Sequence, residues 1–355
     1  MLVITKNGNP ARHLRQYKPY IPRPVREARL VEYLGSEESY IGICKSSEQL
    51  AFPVPVMGTQ LFAVDGMVIP AIEGAAFTSL SDIIAEATAG KQQELWFNKV
   101  GVVGTAAISS TLWYEGLLPS AGAAPGTLAS GGTNYTRSTA GAIGPQVNAD
   151  GGDTLHLLSG FASATVAGNT LMLIDRIWGG LIDRTTTSAQ SITMTPTRYE
   201  TTGSTGTSKN NQAFVEVSTV LANTAHSYTS FTYVDDSGNT TETAAAITGR
   251  AAAVVKTFDH SGIFIPINTG DRGISDITSI TLSATLASGA MSLILCHPLA
   301  IMPCNVANQG QFFDYINGMF NMIRIYDDAC LSFIESYKPS TTATSYFGKF
   351  VLVSG

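Results

Sequence analysis

Hydrophobic and polar residues alternate in short runs through the second half of the chain. The runs are rich in β-branched and aromatic residues, and Gly, Asn, Asp and Ser separate them. Eight or so short strands at this spacing predict a mainly β fold, an antiparallel β-sandwich of the jelly-roll-like kind. The runs are His156–Phe161, Thr170–Ile177, Ser191–Tyr199, Phe214–Val220, Tyr228–Val234, Ile263–Ile267, Ile277–Thr285 and Met291–His297.

The clearest hairpin is Phe231–Thr240, where an alternating strand enters a turn at Asp235–Asn239. Asp235, Asp236 and Asn239 carry oxygens of the type that Ca²⁺ prefers, but a calcium loop needs more ligands at defined spacing. A tight turn demands the same residue types, so the pattern favours turn chemistry over a metal site.

Helical spacing is found in two places. Ser79 is a suitable N-cap, Asp82 follows three residues later, apolar residues repeat through Ala87, and Gly90 lies just past the end. Apolar residues also recur at helical spacing from Phe312 to Ile323, although Gly318 within that run weakens the case for a helix. One or two short helices are therefore expected.

Composition shifts suggest five segments. We predict an extended arm over 1–29, a small α+β region over 30–115, and a Gly/Ala-rich linker over 116–153. The β-sandwich is expected over 154–300 and a docking segment over 301–355, which ends in a last strand or docking tail.

Charge is distributed unevenly along the chain. Residues 1–29 hold seven basic residues and one acidic residue, a net charge of +6, whereas the other 326 residues hold fourteen basic and 26 acidic residues, a net charge of −12. Pro19, Pro22 and Pro24 forbid a helix in this arm and favour an extended, polyproline-like conformation.

A basic arm on an acidic body has three interpretations. The arm can lie across an acidic neighbouring subunit, bind nucleic acid, or remain a solvated tail without a partner. The acidity of the whole chain argues against a dedicated nucleic-acid binder, which normally has a basic domain. We favour the neighbouring subunit.

Composition also bears on the environment of the protein. Residues 1–10 lack the basic start and apolar core of a signal peptide, and the longest apolar run, 291–304, is too short to cross a bilayer. A soluble, non-secreted chain without a membrane partner is expected.

The chain has four cysteines, Cys44, Cys296, Cys304 and Cys330. They show neither a CxxC pair nor zinc spacing, which favours buried reduced thiols over disulfides.

No motif in the sequence carries enzymatic chemistry. Phosphate-binding loops, zinc-protease helices, nucleophile elbows and dinucleotide fingerprints are all missing from the sequence. Asp259 and His260 are adjacent, but neighbours on a strand point to opposite faces, so a joint catalytic role is disfavoured. Trp96, Trp113 and Trp178 can line a sugar-binding groove, although tryptophans more often anchor a core or an interface. No cofactor is expected.

Several segments between about residues 115 and 300 resemble structural proteins encoded in tailed-phage genomes. The resemblance covers about half of the chain and implies membership of a phage particle, without placing the protein on head, neck or tail. The segments are Ser120–Gly126, Leu157–Phe161, Ala167–Arg176, Thr195–Tyr199, Val215–Thr219, Tyr228–Glu242, Phe264–Gly273 and Ile277–Leu286.

The sequence therefore predicts a non-enzymatic virion structural protein, most concretely a capsid decoration or cement protein that stabilises the phage head. Its partners are expected to be the major capsid protein and further copies of itself, as a trimer on the capsid surface. Many modest contacts acting together would resist internal DNA pressure. The arm residues expected to contact the capsid are Arg12, Arg15, Tyr17, Tyr20, Arg23 and Arg26.

Two other functions stay open from the sequence. A tail or fibre-associated protein that binds host glycans predicts an exposed aromatic groove. A jelly-roll major capsid protein agrees with the basic arm, but not with the tailed-phage resemblance, which implies a mixed α/β shell fold for the lattice protein.

Overall fold

Long antiparallel strands dominate the structure, as the β-branched and aromatic runs predict. The computed structural model describes residues 77, 79–102, 113–116, 126–143, 153–195, 198–199, 210–240, 242–255, 257–260, 262–316, 323–336 and 344–355. All of them belong to one compact unit, Val68–Gly355. Within these ranges the chain forms three β-sheets, one α-helix and a short 3₁₀ helix.

The central sheet is built around two long neighbouring strands. Its spatial order is β2 (Trp113–Gly116), β16 (Leu331–Ser336), β6 (Asn169–Leu181), β13 (Ala290–Cys304) and β8 (Gln212–Thr219). Beyond the end of β16, the edge of β6 pairs instead with β3 (Gly126–Thr127) and β4 (Thr133–Asn134).

Two outer sheets accompany the central sheet. The first outer sheet has the order β1 (Gln92–Val102), β17 (Thr344–Ser354), β5 (Leu155–Ala164), β14 (Gln311–Asp314), and β15 (Ile323–Ile325) also pairs with β5. The second outer sheet has the order β10 (Glu242–Thr243), β9 (Ser227–Asp235), β12 (Ile274–Leu282), β7 (Gln190–Ser191), and β11 (Ile247–Thr248) also pairs with β9.

The strands β6 and β13 pass through two hydrophobic cores. At one end, Leu171 and Leu173 of β6 pack against the first outer sheet. At the other end, Ile177 and Trp178 pack against the second outer sheet. Leu295 of β13 pairs with Trp178 and the next residue pairs with Arg176, so Ile177 is an extra residue in a β-bulge. The described part of the chain thus forms two β-sandwiches that share one long sheet.

The opposite face of the central sheet is also covered. Met172, Ile174 and Ile294 on that face form a third cluster with aromatic residues from irregular segments. Tyr135 comes from the segment after β4, and Phe258 from the segment before β12; both are almost completely buried. Burial on both faces explains why β6 and β13 read as nearly continuous apolar runs.

The single α-helix, α1 (Leu80–Thr88), begins with the predicted capping box. Ser79 accepts a hydrogen bond from the backbone N–H of Asp82, and the Asp82 carboxylate accepts one from the Ser79 backbone. Ile83 packs with Phe77 on Leu158 and Val353 of the first outer sheet. The 3₁₀ helix, Leu128–Ser130, ends at Gly131, whose φ of +87° is left-handed.

The prediction of a mainly β, antiparallel sandwich is confirmed, and so are most strands. Three local predictions are wrong. The helical spacing from Phe312 begins as strand β14, because Phe312 and Phe313 pair with β5 and tertiary pairing overrides local periodicity. Among the described residues of the run Ser191–Tyr199, only Ser191 is in a strand, and Ile263–Ile267 forms bends and irregular chain that covers the central sheet.

The turn at Asp235–Asn239 uses its polar residues as a turn rather than as metal ligands. The Asp235 Oδ1 atom accepts hydrogen bonds from the backbone of Ser237 at 2.9 Å and of Asn239 at 2.8 Å. Its Oδ2 atom accepts one from the Asn239 side chain at 2.7 Å. The carboxylate thereby replaces backbone acceptors within the turn, which agrees with the turn interpretation.

Gly132 offers a test of the packing beside the bulge. A Cβ at this position would lie 2.6 Å from the Gly179 carbonyl oxygen and would overlap the Trp178 ring, at a φ of +67°. We expect Gly132→Ala to lower the free energy of unfolding by about 2–4 kcal/mol, from backbone strain and overpacking together. Urea denaturation followed by circular dichroism measures this change.

Gly90→Ala is the matched control, because its φ is +86° but no atom lies within 4 Å of the added Cβ. Backbone strain alone costs about 1 kcal/mol there. Equal losses in the two variants would contradict the tight packing of Gly132 against Trp178.

Candidate functional site

An exposed row of aromatic side chains crosses the outer surface of the first outer sheet. It consists of Trp96 on β1, Phe347 on β17, Phe161 on β5 and Phe312 on β14, and we call these four residues the aromatic row. Trp96 is 53% exposed, Phe347 47% and Phe312 68%. No described element covers these three rings, whereas Phe161 is half-buried beside Gly310.

Strand register brings these rings together. Phe161 and Phe312 are directly opposed on β5 and β14. The ring centroids of Trp96 and Phe347 are 5.7 Å apart, and those of Phe347 and Phe161 are 6.4 Å apart. Because alternate residues of a strand face opposite sides, the neighbours of the row point inward instead, among them the buried Phe97.

Three polar groups beside Trp96 bind one another. Lys349 forms an ion pair with Glu94, and its Nζ lies 5.0 Å from the centroid of the Trp96 ring. The Trp96 indole N–H donates to the Glu94 Oε2 atom at 3.2 Å. The hydrogen bond from Lys349 lowers the pKa of Glu94, so the carboxylate is ionised at neutral pH. What the row offers to a partner is mainly apolar area.

The other end of the same sheet face is already occupied. Ile83 of helix α1 covers it together with Phe77, which lies just before the helix, and these side chains pack with Val353 and Leu158. The outer face is thus divided into a half that α1 buries and a half that carries the aromatic row. A sheet face that is apolar, and that the described chain does not cover, is typical of an interaction surface.

A second surface feature is a cleft of about 650 Å³ between the two sheets of the second sandwich. Its walls come from the 3₁₀ helix, the end of β6, the turn after it, β7 and the start of β13. Polar and apolar side chains share the lining. They include Leu128, Ile182, Asp183, Arg184, Gln190 and Ser191.

The turn that carries Asp183 and Arg184 is held by side-chain hydrogen bonds. The Asp183 Oδ1 atom accepts from the backbone N–H of Thr185 at 2.9 Å and from its hydroxyl at 2.7 Å. Gln190 accepts from the Asp183 N–H at 2.8 Å and donates to the Asp183 carbonyl at 2.9 Å. The Thr185 hydrogen bonds lower the pKa of Asp183, which keeps its charge.

A buried ion pair lies where the two sandwiches meet. Arg198 donates from Nε and Nη2 to the two carboxylate oxygens of Asp175, at 2.9 and 2.8 Å. Cys330 donates its backbone N–H to Asp175 at 2.9 Å, and Arg198 donates to the carbonyls of Tyr135 and Arg176 at 2.8 and 3.1 Å. Every oxygen of the carboxylate is therefore paired.

Burial and pairing oppose each other in this ion pair. Desolvation raises the pKa of Asp175, while the charge and hydrogen bonds of Arg198 act to lower it. Desolvation acts to lower the pKa of Arg198, but the charge and hydrogen bond of Asp175, together with nearby Tyr199 and Cys330, raise the pKa overall. Both groups are closed off from solvent, with Asp175 0% and Arg198 4% exposed, which gives the pair a structural role.

A stack of rings fills the seam next to this pair. Tyr199 lies flat on His297, with ring centroids 4.0 Å apart and planes 7° apart. Tyr326 packs edge-on to Tyr199 at 4.6 Å and contacts both hydrophobic cores. The His297 Nδ1 atom hydrogen-bonds to the Asn211 side-chain oxygen at 2.7 Å. Desolvation lowers the pKa of His297 to about 4, so the ring is neutral at pH 7.

Another buried cluster combines an acid, a histidine and a tyrosine. Asp259 accepts hydrogen bonds from His226 at 2.7 Å, from the Tyr228 hydroxyl, and from the Arg250 backbone at 3.0 Å. The hydrogen bond to Asp259 raises the pKa of His226. These side chains are at most 5% exposed, so no substrate reaches them. They tie the segment before β12 to β9.

The adjacent pair Asp259 and His260 does not act together, in agreement with the expectation from the sequence. Asp259 pairs with His226, whereas the His260 Nε2 atom accepts from the backbone N–H of Val215 at 3.2 Å.

A second buried ion pair, Arg176 with Glu216 at 2.8 Å, lies on the opposite face of the central sheet, where Arg176 also lies over the Tyr135 ring. Both arrangements hold packed segments in place.

The structure separates the residues singled out in the sequence. Trp96 is exposed, Trp178 is completely buried and donates its indole N–H to Gly131 at 2.9 Å, and the side chain of Trp113 lies outside the described residues. Cys296, Cys304 and Cys330 are buried and form no disulfide among the described residues, as expected, and Cys44 is outside the described ranges. So are the predicted arm contacts: Arg12, Arg15, Tyr17, Tyr20, Arg23 and Arg26.

Sequence reasoning missed the aromatic row and the cleft. The row has a weak signal, since Trp96, Phe161 and Phe347 lie in alternating runs, but the alternation does not tell which phase faces outward. The sequence carries no signal for the cleft, because three distant parts of the chain form it.

Within the described ranges, no group of three His, Cys, Asp or Glu residues is arranged to hold a metal ion, and no helix is long and apolar enough to span a membrane.

Removing one partner of the buried pair tests its role. We expect Arg198→Met or Asp175→Asn to lower the free energy of unfolding by about 3–5 kcal/mol, because each leaves a buried charge or its partners unpaired. The double variant should lose less than the sum of the two single variants. Urea denaturation at pH 7 measures all three.

Glu86→Gln is the control, since Glu86 forms an ion pair with Lys91 at the partly exposed surface. A loss of about 0.5 kcal/mol or less is expected for it. Additive losses in the double variant would show that Asp175 and Arg198 are not coupled.

The pH dependence of stability should reflect His297. Its pKa is about 4 in the folded protein, against the usual histidine value of 6.5, so the unfolded chain binds a proton more readily between these values. The unfolding free energy should therefore fall as the pH drops from about 6.5 to 4, by about 1.5 kcal/mol between pH 6.5 and 5. Urea titrations at both pH values, compared with His297→Gln, measure the share of this residue; an unchanged pH slope in the variant would exclude it.

No protein-family model, no curated protein and no solved structure matches this chain. The site is therefore interpreted from its own geometry.

Proposed function

We propose that the protein is a non-enzymatic structural component of a phage particle, a capsid decoration or cement protein that docks on the major capsid lattice. The observation that carries the proposal is the aromatic row on the first outer sheet. The row would give the sheets of the protein a docking surface. The tailed-phage resemblance and the basic arm in the sequence support the same proposal.

The chemistry of the aromatic row favours a protein surface as its occupant over a glycan. Glycan recognition needs free hydrogen-bond partners beside the rings. Here Lys349, Glu94 and the Trp96 indole are already paired with one another. The phenylalanines have no polar atoms, and an exposed tryptophan among apolar rings is typical of the centre of a protein interface.

The enclosed polar clusters support a structural role. Asp175 and His297, two titratable groups whose pKa values burial shifts, belong to the seam between the sandwiches rather than to an open pocket. His226 and Asp259 are equally enclosed. Such pairs fix one arrangement of packed sheets, which suits a protein that must keep its shape under load.

Assembly would combine the aromatic row with the arm. The basic arm, with its net charge of +6, complements acidic neighbours, because the rest of the chain carries −12. We propose that copies associate as a trimer on the capsid surface. Several modest contacts per copy, repeated by symmetry, give a much stronger attachment than any one contact.

The aromatic row can be tested in particles purified from phage that carry variant genes. We expect Trp96→Ala with Phe347→Ser to lower the number of copies per particle at least tenfold, because loss of a central aromatic contact costs about 2 kcal/mol or more in affinity. Charge reversal at Arg12, Arg15, Arg23 and Arg26 should also lower occupancy. Quantitative mass spectrometry of purified particles gives the copy number.

Val220→Ser is the matched control, since Val220 is 50% exposed outside the aromatic row. It should leave the copy number unchanged, and sedimentation should show that all variants keep the mass of the wild-type assembly. Absence of the protein from purified particles, or full occupancy by the aromatic variants, would overturn the proposal.

A further inference from the structure

We propose that the cleft beside the 3₁₀ helix binds a neutral saccharide of one or two sugar units. The proposal goes beyond the docking function and does not depend on it, because the cleft belongs to the second sandwich and the aromatic row to the first outer sheet. A volume of about 650 Å³ is within the range of small-molecule sites.

Charge balance in the cleft points to a neutral ligand. Asp183 and Arg184 are the charged residues of its lining, and they bring one negative and one positive charge. A phosphate or carboxylate site normally shows an excess of positive charge. A polyhydroxylated ligand uses both signs, because a hydroxyl donates to a carboxylate and accepts from a guanidinium.

The polar atoms of the cleft have capacity left for such a ligand. Both hydrogen bonds that the Asp183 side chain accepts end on Oδ1, which leaves Oδ2 available. Arg184 lines the cleft and is partly exposed, and its guanidinium makes no side-chain hydrogen bond to another described residue. Its N–H groups can therefore donate to the hydroxyls of a ligand without giving up an existing hydrogen bond.

The cleft is also organised in advance. Two hydrogen bonds from Gln190 fix the backbone of Asp183, and Thr185 fixes its carboxylate. The exposed hydroxyls of Ser191 and Thr193 line the same space. Groups that are already held in place lose little conformational entropy when a ligand binds.

An apolar floor completes the match to a sugar ring. Leu128 and Ile182 are buried and line the cleft together with Leu181, Ala129 and Ala290. A pyranose has one face of C–H groups that can lie on such a floor while its hydroxyls reach the polar rim. Because this lining has no aromatic ring for stacking, we expect millimolar affinity for a single sugar.

The experiment uses the full chain displayed in many copies on streptavidin, so that weak binding becomes detectable. The probes are an array of neutral and sialylated glycans, followed by saturation-transfer NMR with the best neutral glycan and free monomeric protein. We expect binding to neutral glycans and a loss of at least tenfold in Asp183→Asn and Arg184→Met. Asp183→Asn keeps the Oδ1 acceptor for Thr185, and Arg184→Met keeps an apolar stem, so both should fold.

Ile84→Ser, an exposed position on α1, is the control that should bind like the wild type. No neutral glycan bound by the wild type, preference for sialylated glycans, or unchanged binding by both cleft variants would each overturn the proposal. Loss of glycan binding in Trp96→Ala alone would also overturn it, by moving the sugar to the aromatic row. Particle occupancy tests the docking function separately.

Discussion

The arrangement of the three sheets depends on one buried ion pair, Asp175 with Arg198. The strand β6 has β16 as its neighbour up to Asp175, and β4 as its neighbour from Trp178 onward. Between them the edge of β6 would present unpaired backbone groups inside the protein, which is costly. Arg198 closes this gap together with two flanking segments. Its guanidinium binds the Asp175 carboxylate and the Arg176 carbonyl, while the Arg176 N–H donates to the Cys330 carbonyl and the Tyr135 N–H donates to the Ile177 carbonyl.

The same point is the seam between two hydrophobic cores. The bulge at Ile177 shifts the register of β6 there, and the stack of Tyr199, His297 and Tyr326 fills the space beside it. Tyr199 has a φ of +52°, a conformation that a bulky residue adopts only when its surroundings impose it. The pair, the bulge and the stack together let two sandwiches share long strands without an internal edge.

The chain has 48 charged residues out of 355, and the fold shows where several of them lie. Two ion pairs are buried inside the protein, Asp175 with Arg198 and Arg176 with Glu216. The outer face of the first outer sheet is left with aromatic rings and one surface ion pair. A charge-poor body with an apolar face is what an assembly subunit needs, since its surface is meant to be covered by neighbours.

Local patterns in the sequence predicted local structure well. Alternation located most strands, and Ser79 with Asp82 located the start of α1. Contacts between distant segments were not predictable: Arg198 meets Asp175 only because a bulge and a change of strand partner bring them together. The pairing of Asp259 with His226, rather than with its neighbour His260, has the same cause. To predict the aromatic row, one would have to know which alternate residues of four strands face outward.

An image of the intact particle at side-chain resolution tests the account most directly. It should show the β body on the outside of the capsid, with the first outer sheet facing the shell and the rings of Trp96, Phe347 and Phe312 buried against it. A particle without the protein, or one in which this sheet faces solvent, would contradict the proposed function.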